Sequence, residues 1–261
     1  MNPGTDYVLA TERLCKTFSG FTAVDQVNLR VRRGSIHALI GPNGAGKTTC
    51  FNLLTKFLAP SAGAIFFNGV DITGLAPARV ARMGMVRSFQ ISAVFPHLTA
   101  MHNVRIGLQR QMGNAMHFWR SARSLDVLDE QALRLLDQVG LREFAHVPTV
   151  ELSYGRKRAL EIATTLAMDP EVLLLDEPTQ GMGHEDVDRV ARLIRQVSQG
   201  RTTLLVEHNM GVVSTIADCI TVLQRGSIIA EGPYATVSKD PRVVDAYMGT
   251  VDAEAGAEHA H

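Results

Sequence analysis

The sequence is short of several features, and each shortage excludes a class of protein. Its three cysteines are too few and too scattered for a disulfide framework or a metal cluster, and its nine histidines show no metal-ligand spacing. Positive and negative side chains number 26 each, so the net charge does not predict the broad basic field of a nucleic-acid-binding protein. No apolar run approaches the ~20 residues of a membrane-spanning helix, and the first residues form no signal segment. We therefore expect a cytosolic protein with no structural metal and no nucleic-acid partner.

The overall composition is that of a folded globular protein. Hydrophobic residues make up 46% and charged residues 20% of the 261 positions, which is ordinary for a globular domain. The length exceeds that of a typical single domain and favours one large core with a subordinate lobe. The polar tail from Asp252 to His261 is predicted to be frayed.

The clearest motif is a glycine-rich loop that fits the phosphate-binding pattern G-x-x-x-x-G-K-[ST]. Ile36 to Ile40 predicts a buried strand before it, and Thr49 to Leu58 has helical spacing after it, which is the order that the motif requires. The loop's N–H groups and the start of the helix would hold phosphate oxygens, Lys47 would reach the β- and γ-phosphates, and Thr48 would offer its hydroxyl to Mg²⁺. The alternative is a chance glycine-rich turn. The predicted nucleotide-binding residues of this loop are Gly41, Pro42, Asn43, Gly44, Ala45, Gly46, Lys47, Thr48 and Thr49.

A second motif is an apolar strand that ends in two carboxylates. Val172 to Leu175 is followed by Asp176 and Glu177, which would bring acids to the carboxyl edge of a sheet. We expect Asp176 to hold Mg²⁺ through water and Glu177 to act as the general base that polarises the attacking water. The alternative, an ordinary pair of acids in solvent, is disfavoured by the phosphate-binding loop upstream.

Three further residues are candidates for the site. The apolar run Thr202 to Val206 stops at Glu207-His208, so His208 would lie at the same sheet edge and could donate to the γ-phosphate. Gln90 is a polar residue placed where the apolar run from Met85 ends. Phe18 lies in a turn, where its ring either packs in the core or stacks on adenine.

The remaining segments predict a β lobe and a helical insertion. Val8 to Cys15 and Val24 to Val31 alternate apolar and polar residues, as antiparallel strands do. From Ile91 to Pro148 amphipathic helices replace strands, including His102 to Gln111 and Leu125 to Val139. Other predicted elements are a strand over Ala64 to Phe67, a helix over Ala76 to Met83, a helix over Glu151 to Met168 that Ser153 can cap, helices over Glu185 to Val197, Met210 to Ala217 and Val243 to Met248, and strands over Ile220 to Leu223 and Ile228 to Ala230. Gln109 to Ser124 is either a solvated helix pair or a partner-docking surface.

These motifs, in this order, resemble the ATP-binding subunits of ABC transporters from Val8 to Gly249. The matching motifs are Walker A (Gly41 to Thr48), the Q-loop glutamine (Gln90), the signature (Leu152 to Arg156), Walker B (Leu173 to Glu177) and the switch histidine (His208). Phe18 falls where that family stacks an aromatic ring on adenine. Four stretches are similar, more narrowly, to the branched-chain amino acid importer ATPases: Arg87-Ser88-Phe89-Gln90, Phe95 to Thr99, Glu161-Ile162-Ala163 and Ala246 to Gly249.

The resemblance implies an α/β fold with a RecA-like P-loop NTPase core, an antiparallel β lobe and an α-helical subdomain. Residues 1–251 would form one ABC ATPase domain, with the core and β lobe in 8–90 and 149–249 and the helical subdomain in 91–148. By the same resemblance Lys47, Gln90, Glu177 and His208 are catalytic, Thr48, Gln90 and Asp176 hold Mg²⁺, and the bound nucleotide is ATP.

The resemblance also implies an assembly. Two ATPase subunits, identical or not, would bind head to tail, with Ser153 and Gly155 facing the γ-phosphate held by the partner. They would drive two membrane-spanning permease subunits, whose coupling helices dock between Gln90 and the helical insertion. The permeases would receive substrate from a periplasmic binding protein. The ATPase would then be peripheral on the cytoplasmic face of the inner membrane.

Three residues depart from the family pattern. In the signature L-S-G-G-Q, Tyr154 replaces the first Gly and Arg156 replaces the Gln. Arg156 adds positive charge near a phosphate. Gly183 stands where the family carries Asp or Asn, which puts a cross-subunit contact of that side chain in doubt.

Several alternatives remain open or are disfavoured. A lipopolysaccharide-export ATPase resembles the chain but should lack the segment from Gln109 to Ser124. A DNA-repair or translation ABC protein would need coiled coils or a second nucleotide domain, for which 261 residues leave no room. A GTPase would need an N-K-x-D motif, which the sequence lacks. A purely regulatory module is disfavoured because both Glu177 and His208 are present. The cargo stays open among amino acids, amides, urea and aromatic acids.

Overall fold

The structure is a computed structural model that describes residues 6–88, 94–111 and 123–247. The strands within these ranges are β1 (Tyr7–Phe18), β2 (Phe21–Val27), β3 (Arg30–Arg32), β4 (Ile36–Ile40), β5 (Ala62–Phe67), β6 (Val70–Asp71), β7 (Met85–Arg87), β8 (Val172–Asp176), β9 (Thr202–Val206), β10 (Cys219–Gln224) and β11 (Ser227–Gly232). The helices are α1 (Lys47–Leu54), α2 (Pro77–Arg82), α3 (Ala100–Gln111), α4 (Arg123–Gln138), α5 (Tyr154–Leu166), α6 (His184–Val197), α7 (Met210–Ile216) and α8 (Tyr234–Val237). A further helix covers residues 241–247. Among the described helices, none is long and apolar enough to cross a membrane.

Six strands form a central sheet in the order β11-β10-β4-β9-β8-β7. All neighbours are parallel except β10 and β11. The inner strands β4, β8 and β9 are buried and mostly apolar because a parallel sheet is covered on both faces. The register places Leu39, Val206 and Asp176 in one row across three neighbouring strands. The residues that follow these three positions therefore meet at one edge of the sheet.

Alternate side chains of the central strands enter two different cores. In β4, Ile36, Ala38 and Ile40 pack into the core that contains α3, α4, α5, α6 and α7. Leu39 points the other way and packs with α1, α2 and the β lobe. This alternation follows from the period of two along a strand. It places α3 to α7 on one face of the sheet and α1, α2 and the lobe on the other.

The β lobe is an antiparallel sheet in the order β2-β1-β5-β6, with β3 also paired to β1. The predicted strand over Val24 to Val31 is in fact two strands, because the chain bends at Asn28. The Asn28 side chain accepts a hydrogen bond from the Arg13 N–H at 2.9 Å and donates to the Gln26 carbonyl at 2.9 Å. Gln26 itself has a φ of 47°, which interrupts regular pairing.

Helix α1 follows the phosphate-binding loop but ends earlier than predicted. It stops at Leu54 rather than Leu58. Lys56 adopts a φ of 64°, a left-handed conformation that ends a helix. The Thr55 hydroxyl donates to the Phe51 carbonyl at 2.9 Å and satisfies one of the last carbonyls.

Helices α3 and α4 pack on α5 and fill most of the predicted helical insertion. Both start two residues before the predicted boundaries, and α5 covers the core of the predicted helix over Glu151 to Met168. An isolated antiparallel bridge between Thr99 and Pro148 closes the base of this region. Residues 112–122, which make up most of the segment Gln109 to Ser124, lie outside the described part of the chain.

Candidate nucleotide-binding and hydrolysis site

The phosphate-binding loop runs so close to other strands that two of its positions accept only glycine. Gly41 has a φ of 151°, and a Cβ there would lie 2.1 Å from the Leu223 carbonyl oxygen of β10. Gly46 has a φ of 96°, and a Cβ there would lie 2.3 Å from the Ala23 carbonyl oxygen of β2. These contacts fix the loop between the central sheet and the β lobe. Helix α1 begins at the next residue, so its N-terminal N–H groups face the concave side of the loop.

Lys47 is the first residue of α1 and is almost completely buried. Its ammonium group donates to the carbonyls of Gly41 at 2.7 Å and Pro42 at 3.0 Å, so it lies across the loop. Burial lowers the pKa of Lys47, and the negative charge of Glu177 partly opposes this shift. The two side chains are thus close enough to interact, although one follows β4 and the other follows β8.

The two carboxylates after β8 have different surroundings. Asp176 ends the strand, and its Oδ2 accepts a hydrogen bond from Arg87 Nη2 at 2.5 Å. Glu177 has a φ of 43°, and its N–H donates to the Val206 carbonyl at 2.9 Å, so the chain turns sharply at the sheet edge. The two acids therefore differ in their contacts, since Asp176 is paired with Arg87 whereas the charge of Glu177 acts on Lys47.

Arg87 is a residue whose role sequence reasoning missed. It ends β7, donates to Asn52 Oδ1 at 2.8 Å as well as to Asp176, and lies over the rings of Phe51 and Phe57 at 5.0 and 5.2 Å from their centroids. In the sequence it stands out only as part of a family-like stretch. Its contacts with α1 and β8 depend on strand order, which the residues by themselves do not display.

His208 lies at the predicted sheet edge, directly after β9, and is exposed. Its neighbour Glu207 is fully buried and accepts hydrogen bonds from the N–H groups of His208 and Asn209 and from both the N–H and hydroxyl of Thr179. The sequence reading treated Glu207 only as the end of a strand. The available signal was its position, since Glu207 follows a buried strand just as Asp176 ends one.

The signature segment lies at the start of α5, and the prediction that Ser153 caps this helix is wrong. Ser153 occupies the N-cap position and is exposed, but its side chain makes no capping hydrogen bond. Gly155 is buried against α6, where a Cβ would lie 2.9 Å from Asp186 Oδ1. The hydroxyl of Tyr154 donates to the Gln180 carbonyl at 3.1 Å. The guanidinium of Arg156 stacks on the Phe144 ring at 4.0 Å, within the helical region.

Phe18 does not belong to the core. It ends β1 opposite Phe21 in the antiparallel pair and is 42% exposed. The Lys16 ammonium lies 5.1 Å from its ring centroid. The core-packing alternative is therefore contradicted, and the ring is available for stacking. Gln90 lies outside the described residues.

Two described residues of this edge have oxygen donors of the kind that Mg²⁺ prefers. The Thr48 hydroxyl is exposed in the first turn of α1. Asp176 contributes a carboxylate two strands away in the sheet, of which Oδ2 is engaged by Arg87. This donor set fits a hard divalent cation that also binds phosphate oxygens.

Comparison with known proteins identifies the class to which this fold and loop belong. Residues 24–180 match the family of ABC transporters, and the chain belongs to this family. A solved structure of the ADP conformation of an ATP-binding cassette of an ABC transporter superposes with a TM-score of 0.82. It is 30% identical in sequence, and the match covers 94% of this chain and 100% of that one.

The narrower relationship follows from the C-terminal residues and from full-length relatives. Residues 227–253 match the family described as branched-chain amino acid ATP-binding cassette transporter. The high-affinity branched-chain amino acid transport ATP-binding protein BraF of Pseudomonas aeruginosa is 37% identical over 252 residues, which are 93% of this chain and 98% of that protein. The corresponding LivG of Escherichia coli is 36% identical over 251 residues, with the same coverage.

These comparisons confirm the predicted α/β ABC ATPase fold and the predicted enzyme class, an ABC-type ATP hydrolase. They also confirm the resemblance to the branched-chain amino acid importer ATPases. The chain is thus a nucleotide-binding subunit of a transport system.

Proposed function

We propose that the chain hydrolyses ATP to power an ABC importer for branched-chain amino acids or related small polar solutes. The observation that carries the proposal is the meeting of three groups at one sheet edge. Lys47 follows β4, Glu177 follows β8 closely enough for its charge to act on Lys47, and His208 follows β9 between them. The match of residues 227–253 to the branched-chain family supports this importer over the lipopolysaccharide-export alternative.

The proposed roles follow from position. The loop from Gly41 to Thr49 cradles the phosphates, and Lys47 neutralises their charge when its ammonium leaves the loop carbonyls. Phe18 stacks on the adenine ring. Glu177 accepts a proton from the attacking water, and His208 donates to the γ-phosphate. Gln90 contributes to the catalytic and metal sites as the family resemblance implies.

We further propose that Thr48, Asp176 and Gln90 hold Mg²⁺. The cation would neutralise charge on the β- and γ-phosphates. The chain's own contribution is to orient oxygen donors, and Arg87 fixes one Asp176 oxygen by the 2.5 Å contact.

The proposed assembly contains two ATPase subunits and two permeases, with a solute-binding protein as an indirect partner. The exposed Ser153 and the buried Gly155 at the start of α5 would face the nucleotide of the second subunit. A groove of about 210 Å³ between α2 and Phe57 would receive part of a permease helix. The Phe57 side chain, 53% exposed, lines it. We place this single domain of residues 1–251 at the cytoplasmic face of the inner membrane.

The test is reconstitution of the chain with permease subunits of a branched-chain amino acid importer. Proteoliposomes with the solute-binding protein and internal ATP·Mg²⁺ should accumulate labelled leucine, isoleucine or valine. Urea, short amides and aromatic acids serve as competing solutes, because the ATPase itself does not determine the cargo. ATP-driven accumulation of none of the branched-chain amino acids, together with accumulation of another solute, would overturn the substrate assignment. Absence of ATP hydrolysis would overturn the enzyme assignment itself.

A further inference from the structure

Glu207 presents a fully buried carboxylate at the edge of the site, and no role has been assigned to it above. It follows β9 directly and its side chain is 0% exposed. One oxygen, Oε1, accepts from the Thr179 N–H at 3.0 Å and from the Thr179 hydroxyl at 2.5 Å. The other oxygen, Oε2, accepts from the N–H groups of His208 at 2.9 Å and Asn209 at 3.1 Å.

The two oxygens bind two separate segments of the chain. Thr179 lies two residues after Glu177, within a turn in which the Gln180 N–H donates to the Glu177 carbonyl at 3.1 Å. Asn209 caps α7, because its Oδ1 accepts from the N–H groups of Gly211 at 3.0 Å and Val212 at 3.2 Å. The Glu207 carboxylate therefore joins the turn that carries Glu177 to the segment that carries His208.

A buried carboxylate is unfavourable unless donors surround it. An apolar residue of similar size would pack at the end of β9 without this cost, but it could not accept a hydrogen bond. The four donors that surround Glu207 offset its desolvation and make each donor's position depend on the carboxylate. This arrangement indicates that the contribution of Glu207 is geometric.

The backbone conformation of Glu177 explains why the turn that carries it needs to be held by hydrogen bonds to Glu207. Its φ of 43° lies in the left-handed region, which is unfavourable for a non-glycine residue and persists only where surrounding contacts hold it. Two contacts do so here. The Glu177 N–H donates to the Val206 carbonyl at 2.9 Å, and Glu207 anchors Thr179 on the far side of the turn.

We propose that Glu207 is a positioning residue that holds Glu177 and His208 in a fixed relative geometry. The proposal rests on the roles proposed above for these two residues. Glu207 would touch neither nucleotide nor water, since it is fully buried and its oxygens are occupied. Its loss should therefore lower turnover while the loop from Gly41 to Thr49 still binds ATP.

The principal variant is Glu207→Gln, which keeps the size of the side chain. Its amide has one acceptor and one donor group, so it can satisfy Thr179 or the N–H pair of His208 and Asn209, but not both. We expect kcat to fall ~10–100-fold, as small misplacements of catalytic groups do, with the KM for ATP within about twofold of wild type. ATP binding measured directly, with Mg²⁺ present, should likewise be retained.

Thr203→Val is the matched control. Thr203 lies on the same strand, is fully buried, and its hydroxyl is 2.7 Å from that of Ser198. This substitution also removes a buried hydrogen bond from β9, but far from the sheet edge. It should lower the melting temperature without lowering kcat. Equal losses of kcat in Thr203→Val and Glu207→Gln would overturn the proposal, because general destabilisation would then explain both.

A double variant separates positioning from a structural role. If Glu207 acts through Glu177, its substitution should cost little once Glu177 no longer accepts a proton, because residues that act as a unit are non-additive. Adding Glu207→Gln to Glu177→Gln should change residual turnover less than about threefold. A further loss as large as in the wild-type background would overturn the proposal.

A second variant and the turnover of the wild type keep the positioning role of Glu207 testable. Should Glu207→Gln fail to fold, Thr179→Val removes only the hydroxyl contact and should lower kcat in the same direction by a smaller factor. An unaltered kcat in Thr179→Val would then count against the inference. Wild-type turnover in the same assay reports on the proposed function by itself, so an active wild type with an equally active Glu207→Gln overturns the positioning role alone.

Discussion

Arg87 Nη2 lies 2.5 Å from Asp176 Oδ2, and the same guanidinium lies over the Phe57 ring that lines the groove beside α2. One side chain thus contacts both the proposed metal carboxylate and the proposed docking groove. Both members of the ion pair are mostly buried, with 17% and 11% of their side chains exposed.

This contact predicts that Arg87 competes electrostatically with Mg²⁺ for Asp176. In Arg87→Gln the carboxylate loses its positive neighbour, so it should attract a cation more strongly. The Mg²⁺ concentration for half-maximal ATP binding should fall several-fold. Stability should fall by about 1–3 kcal/mol because a mostly buried Asp176 oxygen loses its hydrogen-bond donor. Arg87→Lys, which keeps the charge, is the control. An Mg²⁺ requirement that rises in Arg87→Gln would show that orientation of Asp176 outweighs competition.

The second prediction concerns the proposed general base. Glu177→Gln keeps the shape of the side chain but cannot accept a proton, so turnover should fall ~10²–10⁴-fold while ATP·Mg²⁺ still binds. The variant should accumulate as an ATP-bridged dimer, visible as a nucleotide-dependent shift in size-exclusion chromatography. Asp176→Asn should instead weaken binding of the metal. Near-normal turnover in Glu177→Gln would remove the general-base assignment, and lost ATP binding would indicate a structural role.

The third prediction concerns the aromatic ring of Phe18. Phe18→Ala should raise the KM for ATP about fivefold or more, since stacking of a base on an aromatic ring contributes ~1–3 kcal/mol. The more exposed Phe21, which pairs with Phe18, is the matched control, and Phe21→Ala should leave the KM unchanged. Phe18→Tyr should also preserve the KM because it keeps the ring. Direct ATP binding that is identical in Phe18→Ala and wild type would exclude stacking.

The fourth prediction compares two glycines of the phosphate-binding loop. Gly44 and Gly46 both have positive φ angles, 73° and 96°, but only a Cβ at Gly46 meets backbone, 2.3 Å from the Ala23 carbonyl oxygen. Gly44→Ala should therefore cost only the left-handed conformation, about 1–2 kcal/mol. Gly46→Ala should cost several kcal/mol and abolish ATP binding. Chemical denaturation of both variants would measure the difference, and equal costs would contradict the close approach.

The fifth prediction is a pH dependence of stability that originates at His37. Burial lowers the pKa of His37 from its ordinary value of 6.5 to about 4. Its Nε2 lies 2.7 Å from the Thr221 hydroxyl, which donates in turn to Glu231 at 2.7 Å. Because the Thr221 hydroxyl donates to Glu231, its oxygen accepts a hydrogen bond from His37 Nε2–H. The lowered pKa makes the His37 ring neutral near pH 7.

The lowered pKa of His37 determines how stability changes with pH. Between about pH 6.5 and pH 4 the unfolded chain binds a proton at His37 and the folded chain does not, so this contribution to stability is present above pH 6.5 and is lost as the pH falls toward 4. The full loss is on the order of 3 kcal/mol at 1.36 kcal/mol per pKa unit. The stability difference between wild type and His37→Gln, measured by urea unfolding, should shrink by that order between about pH 7.5 and pH 4.5. A constant difference would refute the assignment.

The sequence was sufficient for features that depend on local pattern. The apolar runs of β4, β8 and β9 were predicted to within a residue, because a strand covered on both faces has a recognisable composition. The placement of Asp176, Glu177 and His208 at one edge followed from the rule that parallel strands share their carboxyl ends. The predicted ends of helices were less accurate where the backbone conformation of a single residue decides them, as with Lys56 after α1.

The sequence was insufficient where a role depends on which strands are neighbours. Arg87 contacts Asp176 only because β7 lies beside β8, and Glu207 contacts Thr179 only because β9 lies beside β8. In the sequence alone, Arg87 and Glu207 are simply charged residues at the ends of predicted strands. The stacking of Arg156 on Phe144 likewise depends on how α5 packs against the helical region.

The strand order of the central sheet also constrains when the site can form during synthesis. β4, which leads into the phosphate-binding loop, is paired with β9 and β10, and both of these lie near the end of the described chain. Gly41 rests against Leu223 of β10. A nascent chain that has emerged from the ribosome only through α5 therefore has the loop sequence without its supporting strands. We therefore expect competence to bind nucleotide to arise late in translation and to be missing from fragments that end before Cys219.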